Sequence, residues 1–281
     1  MARGEIRHAP TAFGEIGFEE RGSGPPALFV HGVFLNGHLW RHVIERVAGA
    51  RRCLAVDLLA HGATRTPAGA DVSLTAQAEM LDAFCASLAL DAVDLVANDS
   101  GTAVAQIFAG RHPQRIRTLT LTNGDVHTNF PPDAAKPLID ATAQGLLPAI
   151  GRRMLDDVEE ARAQFAVGYE HPERLTEETA RTYLAPFFAS PEAIGHLERF
   201  ILALDDRHTV PIEPLLRRLT APTLVVWGTA DLFFDVRWAY WLRDTIPGTR
   251  RVVELDGAKL FFPEERPEPL AAALLEHWQA R

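Results

Sequence analysis

Short apolar runs alternate with longer stretches of helical periodicity along most of the chain. Between the runs, apolar residues recur three or four positions apart, as at Leu39, Val43 and Val47. Because buried strands that alternate with helices form parallel sheets, the pattern predicts an α/β fold with a doubly wound, mostly parallel sheet. The predicted strands cover residues 15–21 (at a sheet edge), 27–30, 53–56, 92–96, 116–121, 223–227 and 251–255.

The pattern changes between residues 131 and 206, where no run predicts a strand and helical stretches are separated by prolines and glycine. We therefore predict an all-helical cap over residues 130–214, inserted into a core made of residues 1–129 and 215–281. Because proline fixes φ and cannot continue a strand, residues 130–132 are expected to form the hinge from which the cap folds over the carboxyl ends of the strands.

Composition restricts the kinds of partner. The 281 residues are 47% hydrophobic with a net charge of −9, and no basic cluster is suited to nucleic acid or an anionic membrane. No apolar run approaches the ~20 residues of a membrane helix, and residues 1–10 do not resemble a signal peptide. Cys53 and Cys85 lie far apart in apolar stretches, which predicts buried, reduced thiols in a cytoplasmic protein. We expect a small apolar organic ligand and a monomer or homodimer.

The segment 95–103 holds the main candidate for chemistry. A buried strand passes through small residues directly into a helix, and Ala97 and Gly101 allow a tight, strained turn with Asp99 at its tip. The carboxylate lies at a helix N-terminus, where the helix dipole favours negative charge. Two interpretations follow: a catalytic carboxylate, or a helix N-cap, for which Asp is a favoured residue.

Several motifs resemble those of the α/β-hydrolase superfamily, in the same order and over essentially the whole chain. They are His31-Gly32 after a strand, the turn 57–64, the turn at Asp99, Arg111-His112-Pro113, and the loop 227–231. Most members carry serine at the tip of this turn. Aspartate there resembles the haloalkane dehalogenase and epoxide hydrolase branch, in which a carboxylate attacks an sp³ carbon and forms an alkyl ester. Ser100 would be the nucleophile only if the turn moved by one residue, with Asn98 in a position that favours small residues.

The resemblance also implies roles for residues around Asp99. The backbone amides of Val33 and Ser100 would form an oxyanion or leaving-group site, and Asp231 would be the catalytic acid. In dehalogenases the positions of Val33 and Ser100 usually hold the Asn and Trp that bind the halide. In epoxide hydrolases Phe34 would be Pro, and two cap tyrosines protonate the epoxide oxygen. The expected pocket residues are His31, Phe34, Asn123, Tyr169, Tyr183 and Leu260.

The position of the family's catalytic histidine is occupied by Leu260, in the register that Glu265 and Pro267 define. Leucine can neither accept a proton nor activate water. Asn123 falls where some dehalogenases carry an alternative acid. Because ligand sites of α/β sheets lie at the carboxyl ends of strands, His127, which follows the same strand, could replace the missing base, as could a water held by Asp231. A polar loop residue at the hinge is the other interpretation of His127.

Three hypotheses for function remain. The first is a hydrolase with Asp99 as nucleophile, similar to dehalogenases and epoxide hydrolases. The second is an isomerase, lyase or cyclase that uses Asp99 as acid and base, for which Leu260 would help to exclude water. The third is a ligand-binding protein that has lost catalysis. The spacing of His and Asp residues matches no metal site, and no phosphate loop or dinucleotide fingerprint occurs, so we expect neither metal nor cofactor.

Overall fold

A computed structural model describes residues 3–279 of the chain. Its strands are β1 (Ile6–Thr11), β2 (Gly14–Arg21), β3 (Pro26–Val30), β4 (Arg52–Val56), β5 (Val93–Asp99), β6 (Ile116–Gly124), β7 (Thr223–Gly228) and β8 (Thr249–Leu255). They form one sheet in the order β1-β2-β4-β3-β5-β6-β7-β8. The pairs β1–β2 and β2–β4 are antiparallel, and the other neighbouring pairs are parallel. The predicted mostly parallel sheet is therefore confirmed.

The sequence pattern placed the first strand wrongly at the sheet edge. β2 is covered by β1, which forms the edge and pairs with β2 from Ile6 opposite Glu19 to Thr11 opposite Gly14. β1 buries only Ala9 completely, so its sequence lacks the apolar alternation by which a strand is recognised.

The helices follow the predicted α/β alternation. α2 begins after Ser73, whose side chain accepts a hydrogen bond from the amide of Ala76, a typical N-cap. α1 packs on α12, and α2 packs on α3. The α-helices are α1 (Arg41–Val47), α2 (Leu74–Ser87), α3 (Ser100–Arg111), α4 (Lys136–Ala143), α5 (Leu147–Asp156), α6 (Val158–Phe165), α7 (Glu177–Leu184), α8 (Pro191–Leu202), α9 (Glu213–Leu216), α10 (Arg237–Thr245), α11 (Phe262–Glu265) and α12 (Pro267–Gln279).

All elements described between β6 and β7 are helical. We call this stretch, residues 133–216, the helical insertion; it falls within the region expected to form a cap. Phe165, Tyr183 and Phe200 of the insertion are buried in one apolar cluster with the core. A second, smaller cluster joins Leu147 and Phe187 to α8. The insertion is thus held to the core by apolar burial, the dominant favourable term in folding.

Cys53 and Cys85 are both buried and unpaired, as the sequence predicted. Burial raises the pKa of each thiol to about 12. Of the helices in residues 3–279, none has the length and apolar character that crossing a membrane requires.

Candidate active site

Asp99 ends β5 at the point where α3 begins, in the strained conformation that the sequence predicted. Its φ of 59° and ψ of −134° lie outside the regions that non-glycine residues favour. Two glycines make the turn possible. A Cβ on Gly32 would lie 2.2 Å from Oδ2 of Asp99, and a Cβ on Gly101 would lie 2.4 Å from the carbonyl oxygen of His31. The Asp99 side chain makes no N-cap hydrogen bond to the amide of the second or third residue of α3, so capping does not explain this aspartate.

The Asp99 carboxyl group is buried and only partly satisfied by hydrogen bonds. It is 5% exposed, and it accepts hydrogen bonds from the backbone N–H groups of Ser100 and Val33. Its Oδ2 atom has no hydrogen-bond partner among residues 3–279. Burial and the nearby charge of Asp231 raise the pKa of Asp99 to about 7, although the two amides favour the charged form.

Asp231 lies in the loop after β7, and its carboxylate is fixed by donors on both oxygens. Oδ1 accepts hydrogen bonds from the amides of Phe233 and Phe234 at 2.7 and 3.2 Å. Oδ2 accepts one from Nδ2 of Asn123 at 2.7 Å. Burial raises the pKa of Asp231 to about 6, and these donors oppose the rise. The Asn123 side chain also forms two hydrogen bonds with the backbone of Gly228, which connect β6 to β7. Asn123 does not border the cavity described next.

A cavity of about 330 Å³ lies between the turn at Asp99 and the helical insertion. Val33, Phe34 and Leu260 border it from the core, and apolar residues of α4, α5 and α6 border it from the insertion. Among the described residues that line it, the polar side chains are Asp99, Ser100, Asp125 and Gln164, with no histidine and no tyrosine. The cavity is therefore suited to a small apolar ligand and presents carboxyl groups at one end.

Leu260 is 3% exposed and lies in the segment between β8 and α11. Its backbone oxygen accepts a hydrogen bond from Nδ2 of Asn98 at 3.1 Å, which connects this segment to the residue before Asp99. The side chain shares the cavity wall with Asp99. An apolar group thus faces the carboxyl end of the cavity at the place where the resemblance would put a base.

The structure does not place His127 near Asp99, and the expectation that it reaches the site is wrong. Its Nε2 lies 3.1 Å from a carboxylate oxygen of Glu213, and its ring packs on Trp241 at 4.8 Å between centroids. It is not among the residues that border the cavity. A carboxylate at the start of α9 and an indole surface hold the imidazole outside.

His31 is likewise a structural residue rather than a pocket residue. Its Nδ1 donates a hydrogen bond to the oxygen of Gly32 at 2.7 Å, and its Nε2 accepts one from the amide of Leu58 at 3.0 Å. Burial lowers the pKa of His31 to about 3, so the ring is neutral. Both nitrogens are occupied by backbone groups, and the ring is not part of the cavity wall.

The two tyrosines of the insertion were expected at the pocket, but both are engaged elsewhere. The hydroxyls of Tyr169 and Tyr183 donate hydrogen bonds to Oε2 of Glu264 at 2.9 and 2.6 Å. The other oxygen of Glu264 accepts a hydrogen bond from Arg41 at 2.6 Å. Because the partly buried carboxylate of Glu264 takes up both hydroxyls, neither tyrosine is placed to protonate a ligand in the cavity.

The sequence interpretation missed Asp125. This residue is 2% exposed and borders the same cavity as Asp99, and its Oδ1 has no hydrogen-bond partner among residues 3–279. A signal was present, because Asp125 directly follows the carboxyl end of β6, where ligand sites of α/β sheets form. In the part of the chain that the structure describes, no three His, Cys, Asp or Glu side chains are grouped to hold a metal ion.

Comparisons with known proteins extend along nearly the whole chain. A family model described as alpha/beta hydrolase fold matches residues 25–266. A haloalkane dehalogenase from Agrobacterium fabrum is 29% identical, over 96% of this chain and 90% of that protein. The structure of an alpha/beta hydrolase fold protein from Burkholderia ambifaria has a TM-score of 0.85 at 22% identity, covering 98% of this chain and 99% of that one. The structure of the epoxide hydrolase CorEH has a TM-score of 0.81 at 20% identity, covering 98% of each chain.

Proposed function

Because the chain belongs to the α/β-hydrolase fold family, we propose that it is an enzyme in which the Asp99 carboxylate attacks a small apolar substrate and forms a covalent alkyl ester. One observation carries this proposal: Oδ2 of Asp99 has no hydrogen-bond partner among residues 3–279. The carboxyl group lies on a strained turn and borders an apolar cavity. Strain of this kind is found where a side chain must be held in a reactive position.

The surroundings of Asp99 suit the two stages of such a reaction. The amides of Ser100 and Val33 hold the carboxylate, so that the free oxygen can be directed at an electrophilic carbon. Once an ester has formed, the same two amides can stabilise the oxyanion that develops when water attacks it. The haloalkane dehalogenase relatives support this chemistry, although Val33 and Ser100 supply no side-chain N–H group to a departing halide.

Intact-protein mass spectrometry tests the proposal directly. The protein is incubated with 1-bromohexane or 1,2-epoxyhexane, quenched in acid and digested to locate any added mass. We expect an ester on Asp99, absent from Asp99→Asn and present in the control Asp140→Asn, which removes an exposed carboxylate. A label on Ser100, or no label and no product with either probe, would contradict the proposal.

A second candidate function is acid–base chemistry without hydrolysis, such as isomerisation or elimination. It is favoured by the cavity wall, which holds carboxyl groups but no imidazole among the described lining residues. Turnover in ¹⁸O-labelled water separates the two candidates. A hydrolase incorporates the label into its product through the ester, whereas an isomerase or lyase gives an unlabelled product and no mass on Asp99.

A further inference from the structure

Asp125 is placed beside Asp99 by the register of the sheet. Asp99 pairs with Gly124 between the parallel strands β5 and β6, and the amide of Asp125 lies 3.4 Å from the carbonyl oxygen of Asp99. A Cβ on Gly124 would lie 2.2 Å from that same oxygen, so only glycine allows the backbones to approach so closely. Nε2 of Gln106 donates a hydrogen bond to the Asp125 carbonyl at 2.8 Å and fixes the loop.

The two carboxyl groups have unequal surroundings. Asp99 accepts hydrogen bonds from two backbone amides, which favour its charged form. Oδ1 of Asp125 has no hydrogen-bond partner among residues 3–279. Burial, together with the charges of Asp99 and Asp231, raises the pKa of Asp125 well above its usual value. Of the two, Asp99 is therefore the group whose charged form is stabilised, and Asp125 is the group that keeps its proton longer as the pH rises. Neighbouring carboxyl groups of this kind divide acid and base roles between them.

We propose that Asp125 is the catalytic acid and base of this site, and that the substrate is a small apolar epoxide. The inference rests on the proposed role of Asp99 as nucleophile. An epoxide oxygen needs a proton as its ring opens, and Asp125 is a buried carboxylic acid facing the same cavity. A departing halide needs no proton. Among the described residues that line the cavity, only Gln164 of the insertion could offer a halide a side-chain N–H group.

The steps balance without any additional reactant except water. The Asp99 oxygen bonds to a ring carbon, the carbon–oxygen bond of the epoxide breaks, and the departing oxygen takes the proton of Asp125. Ionised Asp125 then accepts a proton from water as the water oxygen adds to the ester carbonyl, whose oxyanion the amides of Val33 and Ser100 hold. Collapse expels the alkoxide, which takes the proton of the Asp99 acid. The product is a vicinal diol, and both carboxyl groups return to their initial states.

The experiment compares the two probes in the wild type and in Asp125→Asn, which keeps the shape of the side chain but cannot transfer a proton. The measured quantity is the rate of Asp99 ester formation from 1,2-epoxyhexane divided by the rate from 1-bromohexane. Because only ring opening needs an acid, we expect this ratio to fall by roughly a hundredfold in Asp125→Asn, the usual scale for losing a general acid. The ratio should not change in Asp140→Asn.

An unchanged ratio in folded Asp125→Asn would overturn the inference while leaving Asp99 as the nucleophile. If the wild type forms no ester with either probe, the proposed function fails and the inference fails with it. In the wild type, the ester from the epoxide should break down, whereas the ester from the bromide should accumulate, because Asp125 keeps its proton in that reaction.

If Asp125→Asn does not fold, the pH dependence of the same ratio in the wild type replaces it. The charged groups that act on Asp125 are Asp99 at the end of β5 and Asp231 after β7, and Gln106 on α3 is neutral. Ionisation of Asp99 affects both probes equally and cancels in the ratio. We expect the ratio to fall at alkaline pH as Asp125 loses its proton, and a ratio that is constant from neutral to alkaline pH would refute the inference.

Discussion

In the proposed reaction, Leu260 occupies the position from which a base would act on the Asp99 ester. It shares the cavity wall with Asp99, and its backbone is held by Asn98. An imidazole at this position could accept a proton from water, whatever the protonation state of Asp125. We therefore expect Leu260→His to release the ester formed from 1-bromohexane at least about tenfold faster than the wild type does. The measurement is the decay of the ester mass after excess bromide has been removed.

The matched control for this change is Leu260→Asn, which adds polarity and a hydrogen-bonding group but no base. It should leave the lifetime of the ester close to that of the wild type. Equal acceleration by Asn and His would mean that access of water, and not proton transfer, limits the breakdown of the ester.

Because Gly32 has no side chain, the Asp99 carboxyl group can lie directly against it. Since a Cβ there would lie 2.2 Å from Oδ2 of Asp99, Gly32→Ala must displace the carboxyl group or the turn. Forcing an atom into a packed site costs about 1–3 kcal/mol in the free energy of unfolding. We expect that loss in urea unfolding, together with loss of Asp99 labelling. Gly49→Ala is the control, because a Cβ at Gly49 meets no atom within 4 Å, and it should alter neither measurement.

At this scale the sequence predicted the geometry of the turn at Asp99, and it failed where the position of a side chain depends on distant partners. Asp99 was found because small neighbours and a strand-to-helix junction are visible in the chain. His127 was misassigned because its partner, Glu213, is distant in sequence. Asp125 was missed because an unpartnered carboxyl group is recognised only once its neighbours are known.

At the scale of elements, α7, α11 and the start of α1 meet around one partly buried ion pair. Arg41 and Glu264 are joined at 2.6 Å, with side chains 13% and 10% exposed, and both tyrosine hydroxyls bind the same carboxylate. Removing one charge of a pair that is mostly shielded from water leaves the other without compensation, and the cost rises to about 3–5 kcal/mol for a fully buried pair. We expect Glu264→Gln to lower the free energy of unfolding by that order, measured by urea denaturation.

The control for this ion pair is Glu276→Gln, which breaks the exposed pair that Glu276 forms with Arg251. Exposed pairs contribute about 0–1 kcal/mol, so this variant should remain close to the wild type. A similar small effect for Glu264→Gln would show that the tyrosine hydroxyls and Arg41 find other partners when the charge is removed.

The elements also show which parts of the fold a single sequence can reveal. The central strands are completely buried runs, as in β5 and β7, and their pattern is unambiguous. β1 was missed because most of its residues are exposed or only half-buried. The change from α/β alternation to helices between β6 and β7 was visible, whereas the contacts of Tyr169 and Tyr183 with α11 depend on tertiary packing that the sequence does not display.

At the scale of the whole molecule, the buried Asp99 carboxyl group is a source of instability that depends on pH. The pKa of Asp99 rises from 3.8 to about 7 on folding, so the folded protein binds a proton more tightly than the unfolded chain does. The contribution of Asp99 to stability is therefore complete below the unfolded pKa and is lost as the pH rises through about 7. Sites built for reactivity commonly lower stability in this way.

We accordingly expect Asp99→Asn to be more stable than the wild type above pH 7, because it replaces a buried charge with a neutral group of the same shape. The difference should reach a few kcal/mol at most, since each pKa unit corresponds to about 1.4 kcal/mol. Well below pH 3.8, where Asp99 is protonated in both states, the two proteins should be nearly equal. Urea unfolding at both ends of this range measures the change, with Asp140→Asn as the control for removing an exposed carboxylate. If Asp99→Asn proved less stable than the wild type at alkaline pH, the two amides would have to compensate fully for burying the charge, and Asp99 would be ionised throughout the neutral range.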